Sequence, residues 1–129
     1  MSEQSSSMPH ILVATDSDDV AEETFSALAS YGTTVSRVRK GQDVRPVVKE
    51  LEPDLVILDL QIGNMGGVAT SIDLRHEAQA GRLKEVKIVM LLDREVDKWI
   101  ATEAQVDAEL VKPLNAMKLR KTTDFLLGE

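Results

Sequence analysis

Short apolar runs alternate with amphipathic stretches along this chain, and that rhythm leaves few architectures open. Ile11 to Ala14 is an apolar run stopped by the polar cluster Thr15 to Asp19. Such a run suits a strand buried on both faces, as in a parallel sheet. The cluster can cap a helix through Ser17 or Asp18. Val20, Thr24, Ala27, Leu28 and Tyr31 then follow at helical spacing, and Gly32 ends the segment. Thr33 to Val38, rich in β-branched residues, predicts a short strand. Val44, Val47, Val48 and Leu51 form the next helical stripe, with Pro46 in its first turn, where a missing N–H matters least. Asp54 to Asp59, introduced by Pro53, is the clearest strand, and the glycine-rich loop Gln61 to Gly67 and a polar helix ending near Gly81 come after it. Val86 to Leu92 reads as a strand, followed by a helix striped by Val96, Trp99, Ile100 and Ala104. Ala108 to Val111 is the last strand, and a closing helix carries Leu114, Met117 and Phe125. Five strands alternating with five helices predict a single α/β domain, a doubly wound parallel sheet covered on both faces.

Composition narrows the function classes. The 129 residues carry 15 Lys+Arg against 22 Asp+Glu, a net charge of -7, which argues against nucleic acid as the main partner. Cysteine is absent, so disulfides, Cys-ligated zinc, iron–sulfur clusters and thiol catalysis are excluded. His10 and His76 are the only histidines, too few for a His-rich metal site, and His76 reads as a surface residue. No apolar run approaches the roughly 20 residues that span a bilayer. Residues 1–8 lack the regions of a signal peptide and read as a flexible lead to a soluble, cytoplasmic domain over residues 9–127.

In a doubly wound sheet the default site is the crevice beyond the carboxyl ends of the strands. Asp16 follows the first strand there, Asp59 the third, and Lys112 the fifth. Singly, each has an ordinary explanation as a turn starter, a cap or a loop residue. Together, placed on adjacent central strands, they describe a small acidic pocket with one fixed ammonium.

These residues also carry a resemblance. Pro53 to Leu60 with Met65-Gly-Gly67, followed by Leu110-Val-Lys-Pro-Leu114, resembles a response-regulator receiver domain over about residues 9 to 127. The fold it implies is flavodoxin-like, (βα)5. It implies that Asp59 accepts a phosphoryl group from a histidine kinase or phosphotransfer protein, and that Asp16, Asp59 and the backbone carbonyl of Gln61 ligate Mg²⁺. Lys112 would ion-pair with the phosphoryl group, ahead of a cis Pro113, and Arg94 would tune the lifetime of that group. The chemistry suits these residue types, because a carboxylate attacking a phosphoryl group needs its repulsion neutralised by a hard cation and an ammonium.

Three positions depart from the family pattern. Thr15 stands where receivers carry the first of two acidic residues, so weaker Mg²⁺ binding is expected. Leu92 stands where a Ser or Thr hydroxyl bonds the phosphoryl group, and Asp93 follows it in place of a small residue. A hydrogen bond to a charged group contributes roughly 1.5–3 kcal/mol, so its loss weakens any phosphorylation-dependent bias roughly 10- to 150-fold. Glu109 replaces the aromatic residue of the usual rotameric switch.

Two functions are therefore expected. The first is a single-domain receiver in a phosphorelay, catalysing at most its own phosphorylation and dephosphorylation. Since the chain ends with the fifth helix, output is expected through a downstream protein partner at the face of Trp99, Glu109 and the last helix, with a homodimer among the assemblies the resemblance allows. The second is an atypical receiver that no longer switches on phosphate and serves as a constitutive interaction scaffold, which Thr15, Leu92 and Glu109 favour. A flavodoxin-like cofactor binder fits poorly, with one Trp, one Tyr and two Phe and no phosphate-cradling loop after the first strand. Trp99 reads first as packing beneath its own helix and second as a partner anchor. Arg37, Arg39 and Lys40 read as a solvated edge.

Overall fold

A computed structural model of the chain describes residues 8–29 and 33–128. Most of the expected N-terminal lead, together with Tyr31 and Gly32, lies outside the described residues. The elements follow the expected alternation: β1 His10–Ala14, α1 Asp18–Leu28, β2 Thr34–Val38, α2 Val44–Leu51, β3 Leu55–Asp59, α3 Gly67–Gln79, β4 Lys87–Leu92, α4 Lys98–Glu103, β5 Ala108–Val111 and α5 Ala116–Leu126. All five strands pair in parallel in the order β2-β1-β3-β4-β5.

The continuous apolar runs are explained by two cores that share each strand. Leu12, Ala14, Val56, Leu58, Ile88, Met90 and Leu92 face α2, α3 and α4, where Val44, Val48, Leu74 and Ala101 meet them. Ile11, Val13, Leu55, Ile57, Val89 and Leu91 face the opposite way, onto Val20, Ala27, Leu28 and Leu119 of α1 and α5. Successive residues in a strand alternate sides, so a strand covered on both faces must be apolar at every position. The core positions of β3, Leu55 to Leu58, are fully buried, each contributing about 1.5–3 kcal/mol by leaving water.

Local signals start the helices. The Ser17 hydroxyl, rather than Asp18, caps α1 by accepting from the Val20 amide at 3.2 Å, and the Asn115 side chain caps α5 from the Lys118 amide at 3.0 Å.

Three helical stripes differ from expectation, α2 only in that Leu51, its last residue, is exposed. Helix α4 is short, because Glu95–Asp97 forms a 3₁₀ turn ahead of it. That turn shifts the helical phase, so Ala101 and Ala104 face the core while Val96 and Trp99 are 65% and 67% exposed. Trp99 therefore does not pack beneath its helix. In α5 the buried positions are Leu119 and Thr123, and Met117 and Phe125 point outward. No helix among the described residues is long and apolar enough to cross a membrane.

Candidate functional site

Strand parity brings the site together. Thr15 lies two residues beyond Val13, Asp59 two beyond Ile57, Asp93 two beyond Leu91 and Lys112 two beyond Leu110. The earlier member of each pair belongs to the α1/α5 core, so all four side chains emerge on one side of the sheet at its carboxyl edge. Leu92 has the opposite parity and is buried in the core against α3 and α4. The ladder continues past the strand ends, with the Leu60 amide donating to the Leu91 carbonyl at 3.0 Å and the Lys112 amide to the Leu92 carbonyl at 2.8 Å.

Asp59 is the centre of the cluster, 2% exposed at the end of β3. Its Oδ1 accepts from Lys112 Nζ at 2.9 Å and from the Gln61 amide at 3.1 Å. Its Oδ2 accepts from the Thr15 hydroxyl at 2.7 Å. Each carboxylate oxygen thus has a donor, as a buried charge requires. The Thr15 Oγ1 in turn accepts from the Ser17 amide at 3.1 Å, which ties the start of α1 to Asp59. In the sequence Thr15 shows only as a missing negative charge. In the fold, the hydroxyl faces the carboxylate where a second acid would have repelled it.

Lys112 is expected from an adjacent central strand, but β5 is the edge of the sheet. Its side chain instead reaches Asp59 across the end of β4 and meets Asp93 on the way, with Nζ 3.0 Å from Asp93 Oδ1. Burial opposes the charge on Lys112, yet the hydrogen bonds and charges of Asp59 and Asp93 outweigh it and hold the ammonium above the usual lysine range. Burial likewise raises Asp93, but the Lys112 hydrogen bond and charge overcome it and keep that carboxyl below the usual range. The Lys112–Pro113 peptide bond is cis.

The loops around the cluster are fixed by backbone contacts. Asp16 is exposed beyond β1, and its Oδ2 accepts from the Gly63 amide at 3.0 Å. The loop that carries Gly63 turns through Asn64 and Met65, both with positive φ (53° and 77°), which costs of order 1–3 kcal/mol per residue. It is held by the Gly41 amide donating to the Gly63 carbonyl and the Gln42 amide to the Asn64 carbonyl, both at 2.9 Å. Only glycine fits at position 41, since a Cβ there would collide with the Met65 carbonyl. A Cβ at Gly67 would lie 2.8 Å from the Leu60 Cα. Arg37 is not a solvated edge residue: its guanidinium, 15% exposed, donates to the Thr15 carbonyl at 3.0 and 3.1 Å and to Asp18 at 2.8 Å. Arg39, by contrast, is largely exposed and shares Asp18 at 2.8 Å.

The other expected residues take supporting places. Gln61 is exposed just beyond Asp59, with its amide in the cluster. Glu109 is half-buried on β5, in a cavity it shares with Glu95, Lys98 and Lys118. Arg94 turns outward and pairs with Asp97 at 3.2 Å. For a divalent cation, the chain offers the carboxylates of Asp16 and Asp59 with a hydroxyl in place of a third acid. No group of three His, Cys, Asp or Glu among the described residues is arranged to hold a metal ion. Two hard oxygen acids suit Mg²⁺, which takes one or two carboxylates and keeps several waters.

Comparison with known proteins agrees with this fold. A family model described as the response regulator receiver domain matches residues 11–124. The DNA-binding response regulator MtrA of Mycolicibacterium smegmatis is 33% identical over 111 residues, covering 84% of this chain and 46% of MtrA. Protein PilH of Pseudomonas aeruginosa is 25% identical over 121 residues, 94% of this chain and 99% of PilH. The chain thus spans about half the length of relatives such as MtrA and nearly all of PilH. The chemotaxis response regulator CheY4 of Vibrio cholerae has the same fold, with a TM-score of 0.81 at 23% identity over 92% of this chain and 98% of CheY4.

Proposed function

The chain belongs to the response-regulator receiver family, and from that premise we propose that Asp59 accepts a phosphoryl group from a histidine kinase or a phosphotransfer protein. The observation that carries this reading is Asp59 Oδ1 held 2.9 Å from Lys112 Nζ at the carboxyl edge of the sheet. In the transfer, a carboxylate oxygen of Asp59 forms a bond to phosphorus as the bond from phosphorus to the donor breaks, leaving an acyl phosphate. Asp59 changes from one negative charge to about two, and the Lys112 ammonium offsets part of the increase. The Gln61 amide and the Thr15 hydroxyl orient the carboxylate before reaction. Asp16, Asp59 and the Gln61 carbonyl are the residues that would hold Mg²⁺, which when bound supplies further neutralisation of the charge that develops on transfer.

Receiver domains act through protein partners, and the outward-facing Val96 and Trp99 support an output partner docking at α4 and the turn that precedes it. The expected setting is the cytoplasm. A second reading, a receiver that acts as a constitutive scaffold without phosphorylation, is favoured by one observation: the Thr15 hydroxyl already occupies Asp59 Oδ2 at 2.7 Å.

Incubation with acetyl phosphate and Mg²⁺, followed by intact mass, separates the two. The phosphoacceptor reading expects one added phosphoryl group on the native chain and none on Asp59→Asn. An unchanged native mass at high Mg²⁺ supports the scaffold.

A further inference from the structure

Lys112 has two carboxylate partners in this fold, at nearly equal distances. Nζ lies 2.9 Å from Asp59 Oδ1 and 3.0 Å from Asp93 Oδ1. The second contact is built into the backbone, because the Lys112 amide donates to the Leu92 carbonyl at 2.8 Å and so fixes Lys112 beside the residue that follows Leu92. Arg94 directs its hydrogen bond to Asp97 at 3.2 Å and reaches Asp93 by charge alone, so besides the Gln61 side chain it is Lys112 that hydrogen-bonds Asp93. Asp59, Asp93 and Lys112 together carry one net negative charge before any anion arrives.

We propose that Asp93 competes with the incoming phosphoryl group for Lys112, so that the ammonium can follow the phosphoryl group only as the Asp93 ion pair opens. The inference rests on the phosphoacceptor reading of Asp59. Asp93 acts here as a positioning residue, through Lys112. Two effects work in one direction. The ion pair must be given up for Lys112 to follow the phosphoryl group, and the Asp93 carboxylate repels the anion that forms. The pair is partly exposed, with Asp93 36% accessible, so solvent screens it and the cost belongs to the range of surface ion pairs. That range, with a small repulsion added, corresponds to about a three- to tenfold effect on the rate of phosphoryl gain.

The test follows acetyl phosphate and Mg²⁺ labelling by intact mass over time in the full chain, comparing native protein with D93N, D93S and D93E, all checked for folding by circular dichroism. D93N removes the charge at nearly constant volume, and D93S covers the case of a D93N variant that does not fold. D93E restores a carboxylate and so reads charge apart from local structure. The expected result is a rate about three- to tenfold above native for D93N and D93S, with D93E returning toward native. Gain at equal or lower rate in both neutral variants overturns the competition and leaves Asp59 as phosphoacceptor. An increase in D93E as large as in D93N also overturns it, because the carboxylate then plays no part. No gain in any of the proteins overturns both readings.

Discussion

Replacing Thr15 with Val removes one hydroxyl and tests how the pocket is held before any phosphate arrives. Thr15 is fully buried and Asp59 nearly so. The Thr15 hydroxyl donates to Asp59 Oδ2 at 2.7 Å and accepts from the Ser17 amide at 3.1 Å. A hydrogen bond to a charged group is worth about 1.5–3 kcal/mol, and a neutral one about 0.5–1.5. The methyl group that replaces the hydroxyl recovers about 0.8 kcal/mol by burial. The net cost is about 1.5–3.5 kcal/mol, a fall in Tm of about 5–15 °C for a chain of this length. Urea denaturation of native, Thr15→Val, Asp59→Asn and the double variant gives the coupling between the two residues. With the carboxylate replaced by an amide, the charged share of the bond is gone, so the valine substitution costs less by about 1 kcal/mol or more. A cost below about 0.5 kcal/mol in the native background, or additivity within about 0.5 kcal/mol, would refute the assignment of Thr15 as the donor that satisfies Asp59.

Further outcomes follow from other contacts. Thr15→Asp places a second buried acid beside Asp59, so the metal-free variant melts below native and shows a larger Mg²⁺-dependent rise in Tm; an equal rise in both proteins contradicts the donor set proposed for the cation. Arg75, largely buried, donates to the carbonyls of Gln105 and Val86 and to Asp107 at 2.8–2.9 Å; Arg75→Met costs about 2–3 kcal/mol in urea denaturation, because Asp107 loses its cation while still accepting from the Ile88 amide. The Arg82 hydrogen bond and the Arg82 and Arg45 charges outweigh burial and hold the Glu77 carboxyl at about 2, from an ordinary 4.5. A depressed folded value contributes stability above the unfolded value, lost as pH falls through the folded one. The stability difference between native and Glu77→Gln is therefore full above about pH 5 and shrinks toward zero by about pH 2; a difference constant across that window contradicts the ion pairs.

Much of the fold is legible in the sequence because both faces of each central strand are covered. Leu55 to Leu58 and Ile11 to Ala14 must then be apolar throughout, and their ends announce themselves by the first charged residue, Asp59 and Asp16. The convergence of Asp59 and Lys112 is legible for the same reason, since a parallel sheet gathers all its strand ends at one edge. What escapes are features set by contacts between distant segments. Nothing near Thr15 signals a bond to a carboxylate 44 residues away, and nothing near Arg37 signals a grip on the Thr15 carbonyl. Asp93 shows as an added charge beside the pocket, but its hold on Lys112 depends on β5 lying parallel beside β4, which lets the Lys112 side chain reach across the end of β4. Periodicity misplaces Trp99 because the 3₁₀ turn at Glu95–Asp97 resets the phase of a helix too short to display its own pattern. Met117 and Phe125 fail similarly: in α5 a threonine, Thr123, is buried with Leu119 while both larger side chains face water.

Acyl phosphates are reduced by borohydride to the alcohol, which marks the residue that carried the phosphoryl group. Treating the chain with acetyl phosphate and Mg²⁺, reducing it and mapping the peptides by mass would find homoserine at position 59 and at no other aspartate if the pocket works as proposed. Unaltered Asp59, or homoserine at Asp16 or Asp93 instead, would contradict it.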